Sequence, residues 1–247
     1  SKDKTKEETF LKKHYNDVTP IKIIPDLSYS LVGHIVEDFE GIPLLTFNEP
    51  SFSLFEMLLK NLIDKFVVLI GLLLISPMII LISFAIKLTS KGPVLYGQER
   101  ITIDGKRFKM WKFRSMRPAV KGEDLNTWES KDNPRITKIG AFIRKTSIDE
   151  LPQLFNILLG DMSLVGPRPE RTHFVNQFKN EIPHYMLRHK MKSGLTGWAQ
   201  VNGLRGDTSI EERIKYDIFY IRNWSIWLDV KIITLTFFKG FINDNAY

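Results

Sequence analysis

Cysteine is absent from the chain of 247 residues, and histidine occurs only five times. The first absence excludes disulfide bonds, cysteine-ligated zinc and thiol nucleophiles, and it fits a reducing, cytosolic environment. The histidines are scattered, so we expect any bound metal to be a hard ion with oxygen ligands, such as magnesium. The glycine-rich nucleotide-binding motifs, HExxH and GxSxG are also missing. The chain opens at Ser1 without a visible signal peptide, and we expect it to be a fragment of a longer protein.

The composition is that of a basic, globular protein. Hydrophobic residues make up 43% of the chain and charged residues 26%, which excludes a disordered or fibrous chain. The formal net charge of +7 favours anionic partners, namely nucleic acid, nucleotide phosphates or the inner membrane leaflet. Basic and aromatic residues are interleaved at 109–114, but nothing resembles a helix-turn-helix or an RNA-binding module. We therefore expect no nucleic-acid partner.

One apolar run, Phe66–Ile86, dominates the hydropathy pattern. It is long enough to span a bilayer, and a buried core helix is the other simple interpretation. Ser76 and Pro77 lie at its centre, where proline leaves a carbonyl one turn back without its hydrogen bond and the serine hydroxyl can satisfy part of that loss. A spanning helix carries its positive bias on one side only, whereas lysines flank both ends here: Lys60, Lys65, Lys87 and Lys91. We predict a re-entrant helix-break-helix that enters and leaves through one leaflet.

These patterns predict an α+β fold, mainly helical and membrane-associated, in three parts. Residues 1–52 are interpreted as the remnant of an N-terminal regulatory domain and its linker. Residues 53–92 form an amphipathic helix and the re-entrant membrane helix. Residues 93–247 form the cytosolic catalytic domain, which begins with a small β-hairpin around 103–105. It ends with a helix over 223–242 that fits an interfacial amphipathic helix, with a plain core helix as the alternative. Further strand-like runs lie at 21–24 and 42–47.

The densest group of polar residues surrounds Asp149 and Glu150. A structural interpretation is a capping box, in which Ser147 caps a helix and Glu150 reaches back to it. A functional interpretation places a phosphate at the helix N-terminus, with Asp149 as a nucleophile on phosphorus and Glu150 as a Mg²⁺ ligand. Arg144 precedes the pair and Arg168 follows it between two prolines, and arginine matches phosphate oxygens bidentately. Both interpretations stay open at this point.

Several blocks together resemble a known family. They are KFRSM at 112–116, RKTSIDELPQLFNILLGDMSLVGPRP at 144–169, GLTGWAQVNG at 194–203 and YIRNWSIWLD at 220–229. In this order, after an apolar segment with a central Ser-Pro, they resemble the bacterial polyprenol-phosphate sugar-1-phosphate transferases, the monotopic phosphoglycosyl transferases. The resemblance covers about residues 53–247. GWAQVNGLRGD and the terminal Asn245-Ala246-Tyr247 are similar to undecaprenyl-phosphate glucose-1-phosphate transferases of exopolysaccharide synthesis.

The resemblance implies a two-step transfer at the cytoplasmic face of the bacterial inner membrane. Asp149 attacks the β-phosphate of a UDP-sugar and releases UMP, and undecaprenyl phosphate then takes the phosphosugar from the carboxylate. This would be the first membrane step of exopolysaccharide or capsule synthesis. Glu150 falls on the magnesium-ligand position and Ser76-Pro77 on the helix break. Lys112, Arg144 and Arg168 fall on positions that support phosphates in the family. Lys60 falls where the family has a basic residue at the membrane surface.

Other expectations stay open beside this one. Glucose is preferred by resemblance, with galactose or an N-acetylhexosamine as alternatives. A one-step transfer in which Asp149 and Glu150 only bind metal is a rival mechanism, and a non-catalytic membrane-anchored assembly module is a rival function. The expected partners are the UDP-sugar, undecaprenyl phosphate and the lipid bilayer, and a homodimer is compatible with the sequence. One departure from the family pattern is Thr102, which stands where a glycine often precedes the hairpin turn.

Overall fold

The computed structural model describes residues 2–14, 16, 18, 21–23, 35–39, 42–47, 52–117, 133–206 and 208–240. Within these residues the chain is mainly helical with three small sheets, in agreement with the predicted α+β class. Asn245-Ala246-Tyr247 lies outside the described residues.

The N-terminal segment contains a helix and a three-stranded antiparallel sheet. Helix α1 spans Lys2–His14, and strands β1, β2 and β3 span Ile21–Ile23, Ile35–Phe39 and Ile42–Phe47. The strand order is β1-β3-β2. The two strand-like runs of the sequence are thus confirmed as strands β1 and β3, while β2 was not predicted. The interpretation of this segment as part of a regulatory domain stays a prediction.

Helix α2 spans Leu54–Thr89 and contains the whole apolar run. Ser53 caps it, because its side chain accepts from the amide of Glu56 while the Glu56 carboxylate accepts from the Ser53 amide. Pro77 lies inside the helix, which continues on both sides of it, so the predicted break is not confirmed. The Ser76 hydroxyl donates to the carbonyl of Leu73 at 2.9 Å. This is the carbonyl that Pro77 leaves without its helical donor, so the predicted compensation is confirmed.

One face of α2 packs on the rest of the protein along almost its whole length. The residues that make these contacts recur every three or four positions, and they are Met57, Lys60, Asp64, Val68, Leu72, Ile75, Ile79, Ile82 and Ile86. The opposite face exposes apolar side chains, including Leu62, Phe66, Leu73, Leu74, Leu81, Phe84 and Leu88. By length and composition α2 could also cross a membrane. The two faces of α2 therefore differ: one packs on the protein, and the other exposes apolar side chains.

The predicted hairpin is confirmed. Strands β4, Leu95–Ile101, and β5, Arg107–Phe113, pair antiparallel across a one-turn 3-10 helix at Ile103–Gly105. Thr102 is almost fully buried beside this turn, and its hydroxyl donates to the carbonyl of Asp161 at 3.0 Å and accepts from the amide of Ser193 at 3.1 Å. A glycine could make neither bond, so the departure from the family pattern adds contacts between the hairpin and two later loops.

The remaining elements surround this hairpin and the inner face of α2. The helices are α3 Lys138–Lys145, α4 Gln153–Leu159, α5 Thr172–Glu181, α6 Trp198–Val201, α7 Ile210–Arg222 and α8 Ile226–Gly240. The short strands β6, Ser163–Val165, and β7, Gly194–Thr196, pair in parallel. Further 3-10 turns lie at Ile148–Glu150 and Tyr185–Lys190. Helix α8 exposes Trp227, Val230, Phe237 and Phe238, as an interfacial helix would.

A buried polar cluster fixes the first part of α2 to α8. The Lys60 ammonium lies 2.5 Å from a carboxylate oxygen of Asp229 and 3.6 Å from one of Asp64. Asp229 also accepts from the Tyr220 hydroxyl at 2.7 Å, and Asp64 accepts from Ser163 at 2.5 Å. Because each buried charge has a partner of opposite sign, the cluster holds the helix in one position on the domain.

Candidate active site

Asp149 and Glu150 lie on a tight turn between two helices. Ser147 adopts left-handed backbone angles, φ 55° and ψ 14°, and its side chain caps nothing. Ile148–Glu150 then form one 3-10 turn, and α4 begins at Gln153 after Pro152. The capping-box interpretation is therefore wrong, because a capping residue needs extended backbone angles. The Glu150 side chain contacts Lys112 and Arg168 and does not reach back to Ser147. A non-glycine residue with positive φ is strained, and here the strain lies two residues before Asp149.

Glu150 is held by two cations. The Lys112 ammonium lies 2.9 Å from its Oε1, and the Arg168 guanidinium lies 2.7 Å from Oε1 and 3.4 Å from Oε2. Burial alone would raise the pKa of Glu150, but Arg168 and Lys112 outweigh it and hold the pKa well below its usual range. Glu150 is therefore a permanent anion that joins β5 to the loop carrying Arg168.

Asp149 has a different environment. It is 9% exposed, and the Lys112 ammonium lies 3.8 Å from its Oδ2. Burial raises the pKa of Asp149 to about 6; Lys112 opposes this rise, the Glu150 carboxylate adds to it, and Arg144 and Arg168 also oppose it. Near neutral pH the Asp149 carboxylate is thus ionised but poorly neutralised, which is the state that a nucleophile requires.

The loop that carries Arg168 is fixed by hydrogen bonds to four successive carbonyls. The donors are the Gly194 amide to Pro167, the Arg188 guanidinium to Arg168, the Arg100 guanidinium to Pro169 and the Ile101 amide to Glu170. These donors come from β7, the Tyr185–Lys190 turn and β4. A segment whose four successive carbonyls are bonded to three other elements has little freedom, so the backbone from which the Arg168 side chain extends is fixed by the fold.

Arg188 is the main support of this loop. It is 1% exposed, forms an ion pair of 2.8 Å with the buried Asp217 of α7, and donates to the carbonyl of Arg168 at 2.9 Å. The sequence analysis did not identify this pair. A pattern of isolated charges 29 positions apart gives no signal of a contact, and only the packing of α7 on the Tyr185–Lys190 turn brings them together.

Asn156 is a second supporting residue that the sequence analysis missed. It belongs to α4 and is 1% exposed. Its side-chain oxygen accepts from the amide of Trp111 at 3.0 Å, and its side-chain nitrogen donates to the carbonyl of Lys109 at 2.8 Å. These two hydrogen bonds fix β5, and with it Lys112, against α4, the helix that follows Asp149. Asparagine is unfavourable in a helix interior, and this local misfit is the one sequence signal that could have identified it.

The structure brings most of the predicted site residues together. Lys112 and Arg168 contact Glu150, and Arg144, buried in the last turn of α3, acts on Asp149 through its charge. Lys60 does not join them, because it is buried in the ion-pair cluster with Asp64 and Asp229. Its predicted contact with phosphate would require that cluster to open.

Glu150 is also the predicted Mg²⁺ ligand. No group of three or more acidic or histidine side chains that could hold a metal occurs in the described part of the chain. Oε1 of Glu150 is occupied by two cations, whereas Oε2 has only the long contact of 3.4 Å with Arg168. Mg²⁺ commonly uses one or two carboxylates together with substrate phosphates and water. Oε2 therefore fits as one protein ligand, and the magnesium site stays a prediction.

Comparison with known proteins gives consistent matches. A bacterial sugar transferase family model matches residues 55–243. A UDP-glucose:undecaprenyl-phosphate glucose-1-phosphate transferase of Klebsiella pneumoniae is 48% identical over 229 residues, or 91% of this chain and 49% of that protein. The Escherichia coli K12 protein of the same name is 44% identical over 232 residues, or 92% and 50%. A UDP-N-acetylgalactosamine-undecaprenyl-phosphate N-acetylgalactosaminephosphotransferase of Aeromonas hydrophila is 44% identical over 181 residues, or 72% and 42%. The chain spans about half the length of the curated relatives it matches.

The two neighbouring carboxyls are predicted to affect stability with opposite signs. Because folding raises the pKa of Asp149 from 3.8 to about 6, protonation stabilises the fold below the lower value, and this contribution is lost as the pH rises through about 6. Asp149→Asn keeps the neutral form, so we expect it to unfold at a higher temperature than the parent at about pH 8, with the difference vanishing near pH 4. Thermal unfolding in detergent at several pH values measures this.

Glu150→Gln is the matched control for this measurement. It removes the shared partner of Lys112 and Arg168, so we expect a lower unfolding temperature than that of the parent at about pH 8. An Asp149→Asn variant that is also less stable than the parent at this pH would contradict the assigned environment of Asp149.

Proposed function

Because the chain belongs to the bacterial sugar transferase family, we propose that it transfers a sugar-1-phosphate, by preference glucose-1-phosphate, from a UDP-sugar to undecaprenyl phosphate. The products are undecaprenyl-diphosphate sugar and UMP. The observation that carries the proposal is the asymmetry of the two carboxyls: Glu150 takes both cations, and Asp149 remains the under-neutralised carboxylate beside them. A binding or assembly module has no need for such a carboxylate.

In the proposed first step a carboxylate oxygen of Asp149 attacks the β-phosphorus of the UDP-sugar. The bond from this phosphorus to the bridging oxygen breaks, and UMP leaves with the electron pair of that bond. The phosphosugar stays on Asp149 as an acyl phosphate. Phosphoryl transfer depends on positioning and charge neutralisation more than on the strength of the nucleophile, so a carboxylate is sufficient.

In the second step an oxygen of undecaprenyl phosphate attacks the same phosphorus. The phosphorus–oxygen bond to Asp149 breaks, the carboxylate is restored, and the new phosphorus–oxygen bond completes the lipid diphosphate. With two steps, the soluble nucleotide and the lipid phosphate do not have to be held in line at the same time.

The cations around Asp149 have separate roles in this scheme. Lys112 lies between the two carboxyls, 3.8 Å from Asp149 and 2.9 Å from Glu150, so its ammonium is close enough to stabilise charge on a transferring phosphate. Arg168 presents a planar guanidinium from a loop whose backbone is fixed. A Mg²⁺ ion bound through Oε2 of Glu150 would neutralise diphosphate charge; loss of activity in EDTA and its return with Mg²⁺ test this assignment.

We propose that α2 attaches this site to the membrane from the cytoplasmic side. A helix that spans a bilayer is surrounded by hydrocarbon over about 20 residues. Here one face of α2, from Met57 to Ile86, packs on a charged domain and only the other face is apolar and exposed. Contacts at both ends with one domain support an orientation in which both ends lie on the same side of the membrane, bent at Ser76-Pro77.

Asp149→Asn is predicted to lose at least about a thousandfold in UMP release, because the carboxamide cannot form the acyl phosphate. The parent, given UDP-sugar but no lipid acceptor, is expected to release about one UMP per enzyme and to retain radiolabel from the sugar on the Asp149 peptide. Glu150→Gln, slower but with Asp149 intact, is expected to keep some label. UMP release that needs the lipid, with no label on the protein, would instead indicate one-step transfer.

UDP-glucose is predicted to be the best donor in a UMP-release screen with undecaprenyl phosphate present. The basis is the similarity to two glucose-1-phosphate transferases over more than nine-tenths of the chain. The relative named for N-acetylgalactosamine makes UDP-N-acetylgalactosamine the necessary comparison, together with UDP-galactose and UDP-N-acetylglucosamine. Faster release with any of these three would overturn the glucose assignment, and no release with any donor would overturn the enzymatic function.

The orientation of α2 is tested by cysteine accessibility, which the cysteine-free chain makes simple. Leu58→Cys and Lys91→Cys place one thiol at each end of the helix. In intact cells we expect an impermeant thiol reagent to label neither, whereas permeabilised cells are labelled at both, which controls for reactivity. Labelling of one site alone in intact cells would mean that α2 spans the membrane.

A further inference from the structure

A second group of basic side chains lies at the end of α4 remote from Asp149. A Cβ atom added to Gly160, the residue that ends α4, would lie 3.6 Å from the Lys192 ammonium and 4.0 Å from the Lys65 ammonium. The two ammonium groups are therefore at most 7.6 Å apart, which is the sum of these distances. Lys65 comes from α2 and Lys192 from the loop before β7, so the fold brings them together.

The positive charge of this pair is not neutralised within the described part of the chain. Lys192 donates to the amide oxygen of Asn61 at 3.0 Å, and Lys65 has neither a hydrogen bond nor an ion pair there. Burial and the neighbouring Lys65 lower the pKa of Lys192, which is the sign of an unfavourable concentration of positive charge. Asp64 is committed to Lys60 and Ser163.

Further charges act on Lys192. The C-terminal end of α4 contributes about half an elementary charge, and Asp64 and Asp161 raise the pKa of Lys192 while Lys106 lowers it. Burial and Lys65 have the larger effects, so the pKa is lowered overall. The excess of positive charge therefore remains. An anion with several oxygens, such as a phosphate, would satisfy both lysines at once.

The pair lies at the border between polar and apolar surface. Lys65 directly precedes Phe66, the first residue of the charge-free run, and Phe66 is 66% exposed. Leu159, which directly precedes Gly160, is 72% exposed, and Leu62 is 65% exposed. A phosphate bound by Lys65 and Lys192 would thus have exposed apolar side chains beside it, which is the environment of a phospholipid headgroup and its acyl chains.

We propose that Lys65 and Lys192 bind the phosphate of an anionic phospholipid at the C-terminal end of α4. The proposal depends on the membrane attachment of α2 and not on the transfer reaction. The site is separate from the catalytic centre, because Asp149 and Gly160 lie at opposite ends of α4, a helix of seven residues that is about 10 Å long. Its function is to fix the depth and orientation of the domain at the membrane surface.

The test uses the full chain, purified in a neutral detergent, and measures its unfolding temperature during titration with lipid. The probes are phosphatidylglycerol, zwitterionic phosphatidylcholine and inorganic phosphate. The variant is Lys65→Gln/Lys192→Gln, and the control is Lys87→Gln/Lys91→Gln, which removes the same charge near the other end of α2. We expect phosphatidylglycerol to stabilise parent and control at similar concentrations and to require at least tenfold more lipid with the variant.

Each other outcome overturns part of the proposal. An equal response of variant and control would mean general attraction to anionic lipid and no site. An equal response of the parent to phosphatidylcholine would remove the role of the anionic headgroup, and an equal response to inorganic phosphate would mean a phosphate site that does not select lipid. If the double variant fails to fold, Lys65→Gln alone removes one charge and breaks no described hydrogen bond, and Lys65→Arg/Lys192→Arg is expected to retain the response.

Discussion

The contact of one carboxylate with two cations is the constraint on which the rest of the site depends. Glu150 joins Lys112 on the hairpin to Arg168 on the loop after β6, and both cations reach the same oxygen. Such a contact forms only if strand, turn and loop are each held in position. Asn156 fixes the strand through its backbone, and Arg188 fixes the loop through the carbonyl of Arg168. These buried polar residues therefore position Lys112 and Arg168 through hydrogen bonds to the backbone, without touching the charged groups of either residue.

The same arrangement explains why adjacent carboxyls differ. Two buried carboxylates compete for the available positive charge, and the one with the better geometry takes it. Glu150 makes direct contacts below 3 Å, which outweigh the effect of burial on its pKa, whereas Lys112 lies 3.8 Å from Asp149 and burial prevails there. Burial raises the pKa of Asp149 to about 6, so the fold keeps this carboxylate ionised near neutral pH at a cost in stability.

Sequence reasoning predicted the site better than its supports. The hairpin, strands β1 and β3 and the Ser76 hydrogen bond followed from local patterns of turn residues, alternation and proline chemistry. The capping-box prediction was wrong because the Glu150 carboxylate pairs with Lys112 and Arg168, which are distant in sequence, and Ser147 adopts a strained turn conformation. Helix α2 continued through Pro77 because packing on one side and the Ser76 bond compensate for the lost hydrogen bond. The ion pair between Arg188 and Asp217 could not be predicted, because a contact between residues distant in sequence leaves no periodic pattern.

The antiparallel contact of α4 with α2 sets the depth of the chemistry. Gly160 lies beside Lys65, and Leu154 and Ile157 share a hydrophobic cluster with Val68 and Leu72. Ile148 and Leu151 pack against the same cluster as Ile79 and Ile82. The reactive turn therefore lies beside the part of α2 that follows Pro77. If α2 spanned the bilayer, Asp149 and Glu150 of this turn and the cations around them would lie at hydrocarbon depth, where charges are costly. In the proposed orientation, with both ends of α2 at one surface, the turn would lie level with the lipid headgroups. The phosphate of the proposed lipid substrate would then reach Asp149 without leaving the membrane surface.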